Sequence, residues 1–171
     1  TYLLTQGNVA ECLVGQKKFS EAKTLLLSIF PKTQQLKLNR VASGMALVLG
    51  NIYYEEKALP QATEYYTYAR NYAMASGEQE KMIGALTGLA RVYNLDKKPE
   101  EARSSLLQSV ELTRRYHIIS AWEPYYELGL FYYNNQQPDS AIAYFRQAVD
   151  LLDKNAENLY GGEEARKIFD N

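Results

Sequence analysis

The thiol of Cys12, the imidazole of His117 and the hydroxyl of Ser120 are the groups that could carry nucleophilic catalysis. The sequence holds one cysteine and one histidine, and Ser120 follows the histidine by three residues. A thiol or hydroxyl becomes reactive beside a base that a third group orients, and no third member or nucleophile-elbow motif accompanies Ser120. We therefore predict that Cys12 is a small buried residue and that His117 is a solvated linker residue.

Metal, phosphate and acid–base sites are not indicated by the remaining residues. One cysteine and one histidine cannot supply a zinc site of the ordinary ligand types. Gly161-Gly162 lacks the preceding strand and the following Lys-Ser or Lys-Thr of a phosphate-binding loop. Carboxylate pairs such as Glu55-Glu56 are typical of solvated helix faces. We predict no cofactor and no enzymatic activity for this stretch of chain.

Charge and hydropathy narrow the range of partners. The formal net charge is -1, and the cations form isolated pairs such as Lys17-Lys18 and Arg114-Arg115 rather than a stripe, which argues against nucleic acid. No apolar run reaches the roughly 18 to 20 residues that span a bilayer, and no signal peptide opens the sequence, so we predict no membrane contact and a cytoplasmic location. Because the helical pattern is already under way at Thr1, we interpret the sequence as a piece of a longer protein.

A period of about 40 residues organises the chain into pairs of amphipathic helices. Each unit has a preceding helix with a leucine or valine, a small residue and an aromatic or leucine, as in Leu128, Gly129 and Tyr132. The second helix carries an alanine with a leucine or aromatic residue four positions later. The pattern indicates that small residues set the helix spacing and that larger side chains fill the gaps. The four alanine pairs are Ala22 and Leu26, Ala62 and Tyr66, Ala102 and Leu106, and Ala141 and Phe145.

Turn residues support the same division. Pro60, Pro99 and Pro138 stand just before the key alanines, where the first turn of a helix tolerates proline. Ser20 is expected to cap the second helix of the first unit, Pro31 to end that unit, and Gly77 to end the second. The predicted helices are 2–16, 19–30, 38–56, 60–76, 79–96, 99–116, 120–135 and 138–154.

These residues resemble the tetratricopeptide repeat, in which Leu-Gly, Tyr, Ala, an aromatic and Ala follow in this order. The resemblance covers residues 1–154 and implies an all-α, right-handed α-solenoid of four antiparallel helix pairs plus a C-terminal helix. The units are about 1–37, 38–77, 78–117 and 118–154. Since the family period is about 34 residues, the helices are expected to be longer, as in kinesin light chain and bacterial signalling proteins.

Two interpretations apply to residues 155–171. One is a helix that caps the apolar end of the array, as solenoids require. The other is a resemblance to the junction between tetratricopeptide repeats and a bacterial caspase-like CHAT protease domain, whose catalytic residues would lie downstream. The likeness rests on Tyr160, Gly161, Gly162, Glu163, Arg166 and Phe169.

Polar residues recur at the packing period on the first helices without fitting the packing rule. In tetratricopeptide arrays these helices line a concave groove, so the resemblance implies that the residues contact a bound segment. The alternative is that they pack against the next helix. Gly7, Leu47 and Thr87 stand on the same side, without the lysines that grip a C-terminal carboxylate, which disfavours a chaperone-tail receptor. The predicted groove residues are Asn8, Glu11, Asn51, Tyr54, Glu55, Arg91, Asn94, Glu127, Tyr133 and Asn134.

The favoured hypothesis is a protein-binding scaffold that acts as a sensor or regulatory module of a larger, bacterial protein. Its ligand would be a peptide or protein segment, which could belong to the same polypeptide. The first alternative is a substrate-recognition fragment of a CHAT caspase-like protease. The second is a self-association module that forms a weak homodimer through the ends of the array.

Overall fold

A computed structural model describes residues 2–160, with the last of these described by its backbone alone. This part of the chain is helical throughout apart from short turns, and it contains no strand. The helices are α1 (Tyr2–Gly15), α2 (Phe19–Gln35), α3 (Asn39–Glu55), α4 (Leu59–Ser76), α5 (Gln79–Leu95), α6 (Pro99–Tyr116), α7 (Glu123–Asn134) and α8 (Pro138–Tyr160).

Successive helices form four hairpins that stack in sequence order. Each first helix packs on its own second helix, and α2, α4 and α6 in turn pack on the next first helix. The first helices α1, α3, α5 and α7 also contact one another directly, whereas the described parts of α2, α4, α6 and α8 do not approach one another as closely. The first helices therefore line the inner side of the stack. The predicted all-α solenoid of helix pairs is confirmed.

The turns between helices repeat one backbone motif every 20 residues or so. In each, a residue with a left-handed backbone ends the helix, and the amide of the next residue donates to the carbonyl five positions earlier, as Lys18 does to Leu13. This is the arrangement of a Schellman cap. Only one of these positions, Gly77 with φ of 71°, has the residue type that avoids the steric cost. The left-handed residues are Lys17, Lys37, Lys57, Gly77, Lys97, His117 and Gln136.

Prolines start the helices as expected, with one exception. Pro60, Pro99 and Pro138 lie in the first turns of α4, α6 and α8. The prediction that Pro31 ends the first unit is wrong, because Pro31 lies inside α2, where buried Phe30 and Thr33 hold the helix on either side of it. The predicted cap at Ser20 is also wrong, since α2 begins at Phe19 and makes no side-chain cap hydrogen bond.

The core is formed by rings that pack directly on glycines. Tyr66 is fully buried, and a Cβ atom added to Gly50 would lie 2.6 Å from Cδ1 of its ring. A Cβ atom on Gly88 of α5 would lie closer still to Cε1 of the same ring. In the last pair Gly129 bears the same relation to Phe145, at 2.6 Å from Cδ1. The glycines therefore admit the aromatic rings as well as close helix contacts.

The first tyrosine of each doublet packs inside its own hairpin, as predicted. Tyr53 stacks on Tyr65 with ring centroids 5.3 Å apart, and Tyr132 stacks on Tyr144 at 5.4 Å. The second member of the doublet points elsewhere on the helix, and Tyr133 is 65% exposed. Unlike side chains are thus assigned to two surfaces by neighbouring positions.

The residues considered for nucleophilic chemistry do not form a site. Cys12 is exposed, so the prediction that it is buried is wrong: within the described chain no helix precedes α1, and only Ala10 of that helix is buried. His117 is exposed at the end of α6, as predicted. The Ser120 hydroxyl donates to Oε1 of Glu80 at 3.1 Å.

The last helix runs further than the sequence indicated. Helix α8 continues to Tyr160 instead of ending at 154, and Ala156 is buried on it. The bend expected at Gly161-Gly162, and the junction residues that follow, lie outside the described residues. Within residues 2–160, no helix has both the length and the apolar character needed to cross a membrane.

We expect Gly50→Ala and Gly88→Ala each to lower the free energy of unfolding by about 1 to 3 kcal/mol, because the new methyl group would overlap the Tyr66 ring. Alanine otherwise favours a helix over glycine by roughly 0.5 to 1 kcal/mol, so the overlap must outweigh that gain. The control is Gly15→Ala, which has nothing within 4 Å of the added atom. Urea denaturation would measure all three, and equal stability of Gly50→Ala and Gly15→Ala would contradict the packing described.

Candidate functional site: the inner surface of the first helices

Three adjoining cavities follow the inner side of the first helices. Their volumes are about 260, 400 and 390 Å³. The first two share Glu11, and the last two share Val14 and Asn51, so the three form one open depression. We call this depression the inner trough. It is lined by Glu11 and Val14 of α1, Leu47 and Asn51 of α3, and Lys81 and Arg91 of α5, among others.

Arg91 links three units at one end of the inner trough. Its guanidinium carbon lies 4.4 Å from the centroid of the Tyr54 ring, a distance at which a cation is attracted to the ring face. Its Nε lies 3.5 Å from Oε1 of Glu127, which α7 contributes. The Arg91 side chain nevertheless keeps 36% of its surface exposed. It can therefore still donate to a group that enters the trough.

Asn51 is held in one orientation by a core residue. The Tyr66 hydroxyl donates to Oδ1 of Asn51 at 2.8 Å, and burial raises the pKa of Tyr66 far above its usual value, so the hydroxyl keeps its proton. Because the oxygen of the amide is occupied, the Asn51 NH₂ group is the one left for another partner. Asn51 is exposed and lines two of the cavities.

Burial shapes the charge of the acidic groups beside Arg91. The Glu127 side chain is 20% exposed, and this burial raises its pKa, an effect that the Arg91 charge opposes and the Glu123 charge reinforces. Burial likewise raises the pKa of Glu123, again against the effect of Arg91. The two carboxylates on α7 are therefore only partly compensated by the one guanidinium.

A second charged cluster in the trough was missed by the sequence reasoning. Nε of Arg40 lies 3.0 Å from Oε1 of Glu78, and Nζ of Lys81 bonds the other oxygen of that carboxylate. The hydrogen bond from Lys81, together with the charges of Lys81 and Arg40, lowers the pKa of Glu78. The lysine stem lies over Gly44, where an added Cβ atom would be 3.4 Å from Cε. The same period, followed in the first turns of α3 and α5, would have drawn attention to these cations.

The predicted groove residues separate into two sets. Asn8, Glu11, Asn51, Tyr54, Glu55 and Arg91 all line the cavities of the inner trough. Glu127 joins them through Arg91. Asn94, Tyr133 and Asn134 are exposed near the C-terminal ends of α5 and α7 and line none of these three cavities. Of the positions compared with a lysine clamp, Gly7 and Leu47 line the trough, whereas Thr87 is buried against Ser109.

The chemistry offered by the inner trough is recognition by hydrogen bonds, charge and apolar contact. It combines amide donors, carboxylate acceptors and cations with apolar walls from Val14, Leu47 and Val48. Among residues 2–160 no group of three or more histidine, cysteine or acidic side chains is placed to hold a metal ion.

We expect Glu127→Gln to gain stability relative to the unchanged protein as the pH rises from 4 to 7. A carboxyl group whose pKa is raised by folding contributes stability at low pH and loses it as the pH rises through the folded pKa, and glutamine lacks that loss. The control is Glu111→Gln, since Glu111 pairs with Arg114 while both side chains stay more than half exposed. Urea titrations at several pH values measure the difference. A Glu127→Gln curve parallel to that of the unchanged protein would be the contrary result.

Comparison with known proteins agrees with this geometry. Residues 122–155, which span α7 and most of α8, match the family model described as Tetratricopeptide repeat. A search of curated protein sequences gives no match.

Two similar solved structures cover nearly the whole chain. One is BtubC (BKLC) from P. vanneervenii, with a TM-score of 0.69, 20% identity, and coverage of 94% of this chain and 71% of that one. Another is a Podosopora anserina putative kinesin light chain with nearly identical TPR-like repeats, with a TM-score of 0.69, 18% identity, and coverage of 97% and 86%. The chain thus has the fold of a tetratricopeptide-like α-solenoid, and its last described helix pair matches the tetratricopeptide repeat itself.

Proposed function

We propose that this chain is a protein-interaction scaffold whose inner trough binds a peptide or protein segment. Stacked helix pairs present long continuous surfaces that suit extended ligands, and arrays of this fold generally bind protein partners. The trough is open along its length and runs over α1, α3 and α5. Its shape supports an elongated ligand over a compact small molecule.

The single observation that carries the proposal is the fixed orientation of Asn51. Its amide oxygen accepts from buried Tyr66, which directs the remaining NH₂ donor to a ligand. A main-chain carbonyl is the acceptor that every peptide segment offers, whatever its side chains. Arg91, oriented by Tyr54 and Glu127, would add a forked donor for an acidic side chain or a carbonyl of the same segment.

The bound segment would belong either to another protein or to a different part of the same polypeptide. In both cases the array would act as a sensor or regulatory module, since a trough that reads main chain and one acidic group can be occupied or released without chemistry on the ligand. The relation to a CHAT protease rests on residues outside the described part of the chain and stays a prediction.

We expect Asn51→Asp to weaken a trough-binding peptide while leaving the fold intact. Aspartate keeps the acceptor for the Tyr66 hydroxyl and removes the NH₂ donor, so binding should fall by about 1 kcal/mol or more while the melting temperature changes little. Asn51→Ala removes both and should lower both binding and stability. The probe is a labelled peptide selected from a random library on the unchanged protein, measured by fluorescence anisotropy.

The matched control is Asn71→Asp on α4, an exposed asparagine on the opposite side of the stack. It should leave the affinity unchanged. Peptides that tolerate Asn51→Asp but are lost with Asn71→Asp would overturn the proposed trough and assign binding to the outer side.

A second candidate function, self-association, is favoured by apolar side chains at both ends of the described array. Tyr2 and Leu4 of α1 are 68% and 53% exposed, and Ile142 and Val149 of α8 are 48% and 53% exposed. Contact between such surfaces on two copies would remove apolar area from water, which favours a dimer.

We expect sedimentation velocity at rising concentration to detect a weak dimer, because the exposed apolar residues of α8 would be buried in it. Replacing Ile142 and Val149 together by glutamate should remove it, while Met74→Glu in the middle of the array should not. A single monomeric species at every concentration would exclude this candidate.

A further inference from the structure

A separate and larger cavity lies on the outer side of the stack, between α4 and α6. Its volume is about 660 Å³, and it shares no lining residue with the inner trough. Its walls are mainly apolar, with buried Leu86 of α5 between Met74 of α4 and Leu107 of α6. Met74 is 67% exposed. We call this cavity the outer groove.

The equivalent gap between α2 and α4 is filled by the chain's own aromatic rings. Phe30 of α2 lies with its ring centroid 5.7 Å from that of Tyr65, 6.1 Å from Tyr68 and 6.3 Å from Tyr72. Gln34 of α2 also donates to the Tyr72 hydroxyl at 3.0 Å. Successive second helices in this fold are too far apart for close backbone contact, so large rings are what closes the space between them.

The repeat period explains why the next gap is open. The first three units share a spacing of 40 residues, from Ala22 to Ala62 to Ala102. Advanced by that spacing, every ring of the cluster is replaced by a side chain without one. Phe30, Tyr65, Tyr68 and Tyr72 correspond to Arg70, Ser105, Gln108 and Leu112. Arg70, Gln108 and Leu112 themselves line the outer groove.

The charge at the rim indicates what should accompany an incoming ring. Within residues 2–160, the described hydrogen bonds of Arg70 go to the neutral amide of Asn71, at 3.3 and 3.4 Å, and Arg70 makes no ion pair. Glu111, the acidic residue of the lining, is already bonded to Arg114. A carboxylate on the ligand would therefore meet an available guanidinium.

We propose that the outer groove docks a segment of a partner protein that inserts an aromatic side chain between α4 and α6 and sets a carboxylate against Arg70. The partner supplies the ring that α6 lacks, in a place where the preceding unit supplies its own. This site is independent of the inner trough, and either can operate without the other.

The three methionine methyl groups provide the readout, since Met74 and Met82 line the outer groove while Met45 lines the inner trough. Phenylpropionate, an aromatic ring with a carboxylate, is titrated into methyl-labelled protein and followed by NMR. The Met74 and Met82 signals should shift and saturate, and the Met45 signal should not. Phenylpropylamine should bind about two- to five-fold more weakly, the range that exposed ion pairs give, and Arg70→Gln should abolish that preference.

Filling the groove is the decisive variant. Gln108→Tyr combined with Leu112→Tyr restores two rings of the preceding unit and should remove the response to phenylpropionate while the Met45 signal and the melting curve stay in place. Arg103→Tyr, on the opposite face of α6, is the matched control and should keep the response. Leu112→Tyr alone serves if the double variant does not fold.

A peptide arm tests whether the occupant is a protein segment. Peptides selected from a random library on the protein and eluted with phenylpropionate should contain an aromatic and an acidic residue close together. When synthesised, they should shift Met74 and Met82 in the unchanged protein and not in the filled variant. Peptides that shift Met45 alone would support the inner trough and overturn this proposal, as would groove signals that depend on protein concentration, which would assign the groove to a second copy.

Discussion

The packing of the Tyr66 ring against the backbone of two helices is the contact on which the array depends. Gly50 and Gly88 leave no side chain where the ring lies, so α3 and α5 approach each other through one residue of α4. The hydroxyl of the same ring reaches Asn51, so the core residue also orients a surface group. One buried aromatic thereby sets the helix spacing and fixes a donor in the inner trough.

The close approach of the first helices has a consequence on the opposite side of the stack. Helices that are near each other on the inner side must separate on the outer side, and the space between second helices has to be filled by side chains. Between α2 and α4, four aromatic rings fill it. Between α4 and α6 the rings are absent and a cavity of about 660 Å³ remains. The same geometry thus produces both candidate surfaces.

Electrostatics in the inner trough follows from partial burial. Arg91 holds Tyr54 and Glu127 together across three units, yet α7 brings two carboxylates to that one cation. Glu78 has the reverse situation, with two cations, and keeps its charge easily. Opposite charge excess at the two ends would favour one direction for a bound segment with its own uneven charge.

The sequence by itself determined the helix pairs, their period and their order. A small residue and an aromatic at fixed spacing are required wherever two helices touch, so the period identified the packing positions of Ala62 and Tyr66 before any coordinates. It also identified six residues of the inner trough, because a first helix must turn its remaining faces away from that contact. Only the tertiary structure decided that α2 runs through Pro31, that Cys12 is exposed, that Arg40 and Lys81 meet at Glu78, and that the gap beside α6 is open. Each of these depends on which neighbouring helix covers a side chain, and local spacing does not contain that information.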